Sequence, residues 1–331
     1  MKLFFTDLDG TILNSEKEIS PGNRAAVDEA LAAGHKVIVA TGRPLSSAIR
    51  QAKRLGLGGE GCLLIAYNGG IIYDMTREEI LQARSIPLSL AEEIFREAER
   101  RGLHIQTYMG DDVIVEPRCD DEAIRWYTDM TVMSFRVIPE IAQLPIDPVK
   151  LLILEFEDRP KADAMREWVL ENYPGQLDSF YSAPMILEIV PAGVNKGAAL
   201  LRTAELLGAD VKDTVAAGDE GNDIPMIRAA GVGACMANGI PEAKAAADYV
   251  TEEDCDHDGA AEIIRKFVLD SERGGSPIKW EKMAGKNINH TCYWGGKPRK
   301  GGMYGKSGNH RESTGSRKRT QQLPGTEGSR E

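Results

Sequence analysis

No run of this chain approaches the ~18 consecutive apolar residues that a membrane helix needs, so no segment is read as crossing a bilayer. The beginning, MKLFFTDLDG, reaches Asp7 after four uncharged residues, too few for the apolar region of a signal peptide. Cysteine is scarce. The five thiols at Cys62, Cys119, Cys235, Cys255 and Cys292 are odd in number and form no C-x-x-C pair, which argues against a disulfide scaffold and for reduced thiols. These absences give the expectation of a cytoplasmic protein. Positive charge is also short over most of the chain. Residues 271–331 hold 13 Lys and Arg against 5 Glu, a net +8, so the total of −11 leaves −19 on residues 1–270. A body that acidic repels nucleic acid and anionic membranes at long range, and an anionic substrate needs a local cation or a bound metal.

What is present is ordinary globular composition, with 42% hydrophobic and 27% charged residues, in a length that allows two domains or one with a large insertion. Short apolar runs alternate with helical patterns at KLFFT (2–6), 21–34, KVIVAT (36–41), 45–55 and CLLIAYN (62–68), which reads as βαβαβ with a parallel sheet. The rhythm resumes with MILEIVP (185–191), 196–207, DTVAAGD (213–219), 222–229, VGACMAN (232–238) and 241–247. The two stretches predict one doubly wound α/β core, residues 1–83 and 185–270. Between them, LHIQTYMGDDVIVEP holds two strand-like runs about Gly110-Asp111-Asp112, and KLLILEFED and QLDSFYS flank a helix near 160–172. This predicts an inserted α+β cap domain at 84–184. Residues 271–331 carry 12 of the 34 glycines without core periodicity and are expected to be a disordered basic tail. Its Trp280, Tyr293, Trp294 and Tyr304 beside Lys and Arg offer stacking and charge to nucleic acid. No RNA-binding signature accompanies them, so a solvated tail is the preferred reading.

Four polar clusters each follow the carboxyl end of an apolar run: Asp7 to Thr11, Thr41 to Arg43, Asn195 and Lys196, and Asp219 to Asp223. In open parallel sheets ligands bind at that edge, so groups remote in sequence converge on one crevice. Asp7 and Asp9 are two apart, a spacing that aims both side chains the same way in extended backbone. Two close carboxylates repel, and a divalent cation relieves this while offering positions to a phosphate. Asp219 and Asp223 would complete an oxygen-ligand Mg2+ site with Asp7 and Asp9. A carboxylate ionised at neutral pH can attack phosphorus to give an aspartyl-phosphate, and a second carboxyl can protonate the leaving oxygen and later take a proton from water. Thr41 and the Gly42 amide suit phosphate oxygens, and Lys196 supplies fixed positive charge for the transferring group.

DLDGT (7–11), VIVATGR (37–43), GVNKG (193–197) and GDEGND (218–223) resemble, in order, the four motifs of the haloacid dehalogenase-like phosphohydrolases. Within that superfamily the chain is similar to the Cof-type hydrolases, which carry a large cap between the second and third motifs. YNGG (67–70) and MANGIPEAKAAADYVT (236–251) add to the likeness, which covers nearly all of residues 1–270. The resemblance implies Asp7 as nucleophile and Asp9 as general acid and base. It further implies Thr41 and Lys196 as phosphate ligands, and Asp7, the Asp9 carbonyl and Asp219 as metal ligands, with Asn222 and Asp223 supporting metal or phosphate. It points to a small phosphorylated metabolite as substrate. The chain departs from the pattern at CDHDGAAEII (255–264), where relatives more often read Asn-Asp-Gly-Val, and in its basic tail.

Competing readings are weaker. D-x-D-G as an EF-hand fails because its sixth position is Ile12 and a strand-like run precedes it. GLGGEG (56–61) follows a helix and precedes a strand, the reverse of a dinucleotide loop. Cys255-x-His257 with His290-x-Cys292 would need a loop and the tail to meet around zinc. A phosphosugar mutase or a dedicated sugar-phosphate phosphatase remains open on the same fold. An idle phosphometabolite-binding protein is disfavoured, since a binder needs no nucleophile beside an acid and base. Substrate choice is expected to lie in the cap, with Tyr108, Arg125, Trp126 and Tyr127 as candidate contacts.

Overall fold

A computed structural model describes residues 1–110, 112–115, 121–131 and 133–269. The expected tail, with His290 and Cys292, lies outside the described residues. From the N-terminus run β1 (Leu3–Thr6), α1 (Pro21–Ala32), β2 (Lys36–Ala40), α2 (Leu45–Arg54), β3 (Leu63–Ala66), β4 (Ile71–Asp74) and β5 (Glu79–Ala83). Then come α3 (Leu88–Arg100), β6 (His104–Met109), β7 (Asp112–Val115), α4 (Asp121–Thr131), β8 (Ser134–Val137), β9 (Leu151–Leu154), α5 (Arg159–Asn172), β10 (Leu177–Ala183) and β11 (Ile186–Pro191). The chain continues through α6 (Lys196–Leu206), β12 (Thr214–Gly218), α7 (Ile224–Ala229), β13 (Val232–Cys235), α8 (Pro241–Ala246), β14 (Tyr249–Val250) and α9 (Gly259–Ile263). Among the described residues no helix is long and apolar enough to cross a membrane.

Eight strands form the core sheet in the order β14-β13-β12-β1-β2-β3-β4-β5. The six from β14 to β3 are parallel, and β4 and β5 add an antiparallel hairpin at one edge. Central β1 is buried along its whole length, as a parallel strand covered by helices on both faces must be. Chain order runs outward from β1 through β2 and β3 on one side and resumes at β12 on the other. The switch point of the winding therefore falls between β1 and β12, where a crevice opens at the carboxyl ends. Local signals fix the helices that border it. Ser20 caps α1 by accepting from the Asn23 N–H at 3.2 Å with Pro21 at the first turn, and Asn195 caps α6 by accepting from the Ala198 N–H at 2.9 Å.

The inserted unit is a six-stranded sheet in the order β10-β11-β9-β6-β7-β8, antiparallel except for β7 beside β8. One face, with Ile105, Leu151, Ile153, Leu187 and Ile189, packs on Phe95 of α3 and Met165 and Val169 of α5. The other face, with Tyr108, Leu152 and Ile186, joins Ala123, Ile124 and Tyr127 of α4 in an apolar cluster continuous with the core. MILEIVP differs from the expectation. It was expected to be a core strand, but Leu187 pairs with Ile153 of β9 and Tyr181 of β10, so β11 belongs to the cap sheet. A strand buried on both faces gives the same apolar run in either sheet, and only its partners tell them apart. The cap thus reaches Pro191 instead of ending at residue 184.

Candidate active site

Asp7 follows β1 directly, its N–H still on the sheet ladder with the Ala217 carbonyl at 3.0 Å. The chain then turns at Gly10, whose φ of +77° favours glycine. A side chain there would also collide, since a Cβ would stand 2.4 Å from Asp219 Oδ2. The Gly10 backbone of the first cluster therefore packs against the Asp219 carboxylate of the fourth, and the Thr11 hydroxyl donates to Asp219 Oδ1 at 2.7 Å. Asn238 fastens the same turn by donating to the Gly10 carbonyl at 2.8 Å.

Lys196, the first residue of α6, is fully buried beneath these carboxylates. Its ammonium donates to Asp7 Oδ1 and Asp223 Oδ1, each at 2.6 Å. Burial disfavours its charge, but Asp223 and Asp7 more than offset this and hold the lysine protonated. Asp223 Oδ2 accepts the N–H groups of Asp219 and Glu220 at 3.0 and 3.1 Å, so both its oxygens are engaged. Burial pushes the Asp7 carboxyl well above the usual range; Lys196 opposes this, while Asp223 and Asp9 add to it. Burial likewise raises Asp219, helped by the negative charges of Asp7 and Asp223.

Asp7, Asp219 and Asp223 each bring a carboxylate oxygen within 4.8 Å of the others, with one buried ammonium to balance three acids. An all-oxygen cluster of three acids against one ammonium, in which burial raises Asp7 and Asp219, fits a hard divalent cation such as Mg2+. The Asp9 carboxylate is not part of that cluster. Arg43 grips it with two hydrogen bonds, Nε to Oδ2 at 2.7 Å and Nη2 to Oδ1 at 2.6 Å, and Lys17 stands 3.0 Å from Oδ1. Burial works against the Asp9 charge, but Arg43 and Lys17 overcome it and hold the carboxyl at about 2.

A cavity of about 230 Å³ lies over the cluster, lined from the core by Asp7, Asp9, Thr41, Gly42, Arg43 and Asn222, and from the cap by Tyr127, Lys150 and Glu188. Thr41 is buried, and its hydroxyl accepts from the Arg43 N–H at 3.2 Å. The structure thus brings all four polar clusters to one crevice. Of the candidate cap contacts, Tyr127 lines the cavity, and Tyr108 is buried behind it with the two hydroxyls 2.6 Å apart. Arg125 is exposed, and Trp126 packs edge-on against Phe156 in a separate cap groove of about 830 Å³ that holds none of the four clusters. Arg43, the last residue of the second motif, is a site residue that spacing alone does not single out, although a cation two residues after Thr41 is a signal for it. Lys150 and Glu188 were missed because each is a single charge at or within an apolar strand run.

The sequence profile of the haloacid dehalogenase-like hydrolases matches residues 4–264. The 5-amino-6-(5-phospho-D-ribitylamino)uracil phosphatase YcsE of Bacillus subtilis (strain 168) is 32% identical over 271 residues, covering 81% of this chain and 96% of that protein. A crystal structure of a haloacid dehalogenase-like hydrolase from Bacteroides thetaiotaomicron is 31% identical with a TM-score of 0.73, covering 80% of this chain and 98% of that one. The X-ray structure of TM0651 from Thermotoga maritima is also 31% identical, with a TM-score of 0.69 and coverage of 80% and 96%. With that profile spanning core and cap alike, and with relatives above 30% identity matched along nearly their whole length, the chain belongs to the haloacid dehalogenase-like hydrolase family.

Proposed function

We propose that this phosphatase moves the phosphoryl group of a small phosphorylated metabolite onto Asp7 and then onto water, with Mg2+ as cofactor. The observation that carries the reading is the division between two carboxylates at one cavity. Asp7 lies on the floor against Lys196, and Asp9 lies nearby in the grip of Arg43. In this mechanism the substrate draws Arg43 and Lys17 away from Asp9, which lets Asp9 take up a proton; Asp7 then attacks phosphorus and the ester oxygen departs with that proton. Asp9, again a carboxylate, then removes a proton from water as that water attacks the aspartyl-phosphate. Lys196 keeps positive charge beside the transferring group, and Thr41, the Gly42 amide and Asn222 hold its oxygens. Asp7, Asp219 and Asp223 would hold the magnesium ion, which when bound supplies charge neutralisation and polarisation of the phosphoryl group.

The cavity volume of about 230 Å³ favours a metabolite over a macromolecular phosphoester. A relative named for a phosphorylated ribitylamino-uracil fits the same class. The buried free thiols Cys62, Cys235 and Cys255 are in keeping with a cytoplasmic setting. The test is release of inorganic phosphate from a panel of phosphorylated sugars and cofactors, with and without Mg2+. Magnesium-dependent release supports the proposal. Isomer conversion with little release would make the chain a mutase, and binding without either reaction would make it an idle binder.

A further inference from the structure

The segment Tyr67–Gly70 follows β3 and has no part in the chemistry above. Its Asn68 sits at φ +56° and ψ +27°, a left-handed conformation that Asn tolerates better than most residues. The Asn68 N–H donates to the Thr41 carbonyl at 3.0 Å, which fixes the plane of the Thr41–Gly42 peptide in the second motif. Its side-chain nitrogen donates to Glu188 Oε2 of cap strand β11 at 2.7 Å, and its side-chain oxygen accepts from Asn222 Nδ2 of the fourth motif at 3.0 Å. Glu188 is also paired with Lys150 at 3.1 Å, and Lys150 donates to the Gly42 carbonyl at 3.0 Å. Both charged side chains are almost wholly buried, at 1% exposure for Lys150 and 2% for Glu188.

The direction of these bonds matters. An ionised carboxylate only accepts, so Glu188 requires the amide nitrogen of Asn68 to face it. That leaves the Asn68 oxygen as the acceptor for Asn222, which must then present its own nitrogen to Asn68. The second hydrogen on that nitrogen remains as a donor, and Asn222 lines the cavity. A phosphate needs donors. One carboxylate in the cap therefore sets the orientation of two amides in turn, ending at the group offered to the substrate.

We propose that Asn68 is a positioning residue for phosphoryl binding, through which Glu188 of the cap orients the amide that Asn222 presents to the phosphate. The inference rests on the phosphatase reading of this site. A cap that lifts away takes Glu188 and Lys150 with it, so the phosphate subsite is complete only when the cap is seated.

The test uses the full chain with saturating Mg2+ and the variant Asn68→Gly, which keeps the left-handed turn and the bond to Thr41 but removes the bridging amide. kcat/KM on p-nitrophenyl phosphate and the affinity for inorganic phosphate by calorimetry should each fall about 10- to 100-fold. The double variant Asn68→Gly/Asn222→Ala should lie within about twofold of Asn222→Ala alone, because the two residues act through one amide. Losses that multiply in the double variant, or wild-type phosphate affinity in folded Asn68→Gly, would overturn the proposal. If the wild-type chain hydrolyses no ester, the phosphatase reading falls, while the inorganic-phosphate titration still decides the role of Asn68.

Discussion

Replacing Asp9 by Asn separates the two carboxylates that the proposed mechanism gives different work. The substitution keeps the size of the side chain and one oxygen for Arg43, and Asp9 contacts neither Lys196 nor Asp223, so the surroundings of Asp7 should persist. Removing its negative charge also relieves one of the influences that raise the Asp7 carboxyl, so the nucleophile stays available. What is lost is proton transfer, worth roughly 10²–10⁴-fold, or about 3–5 kcal/mol of barrier. With p-nitrophenyl phosphate, whose leaving group is stable as an anion, the first step needs little acid and should partly survive. The second step still needs a base, so aspartyl-phosphate should accumulate. Rapid mixing should then show a burst of about one nitrophenolate per active site followed by slow turnover. With a sugar phosphate the poor leaving group needs the acid, and the burst should vanish. Labelled phosphate trapped on Asp7 would establish the order of events. Equal losses on both substrates with nothing trapped would refute the division of roles, and a burst from Asp7→Asn would remove Asp7 as nucleophile.

Asp219→Ala should abolish magnesium-dependent turnover and flatten the rise in thermal midpoint that Mg2+ gives the wild type; an unchanged rise would take Asp219 out of the metal site. Lys196→Met leaves Asp7 and Asp223 buried without their shared cation and should cost about 3–5 kcal/mol in urea unfolding; a loss below about 1 kcal/mol would mean that water or the other acids already carry that charge. Because burial raises Asp7 and Asp219 in the folded state, their folded forms bind protons that the unfolded chain releases. Stability of the metal-free protein should therefore fall as pH rises from about 4 through neutrality, and Mg2+ should reverse the trend. A metal-free thermal midpoint that climbs over that range would contradict the assigned shifts.

The four polar clusters were legible because each is a break in an apolar run, and a parallel sheet brings the carboxyl ends of its strands to one edge whatever the intervening sequence. The separation of Asp9 from the acidic cluster was not legible. Spacing aims two side chains alike but cannot say that Arg43 captures one and Lys196 the other. Glu188 was hidden for a related reason: in ILEIVP it is one polar residue in a strand buried on both faces, and its partners Lys150 and Asn68 lie 38 and 120 residues away. The assignment of β11 to the cap depended on pairings with β9 and β10 that no local pattern encodes.

That assignment changes how a chimera should be built. A graft that exchanged residues 84–184 would set the donor's β9 and β10 on either side of the recipient's own counterpart of Ile186–Pro191. Any mismatch of register there would leave both with open backbone edges, a template for aggregation. Exchanging the segment from residue 84 to about residue 192 transfers the sheet whole. It also transfers Lys150 and Glu188 together, so the donor cap arrives with its buried pair matched, while the turn at Gly193 and the Asn195 cap of α6 stay with the recipient.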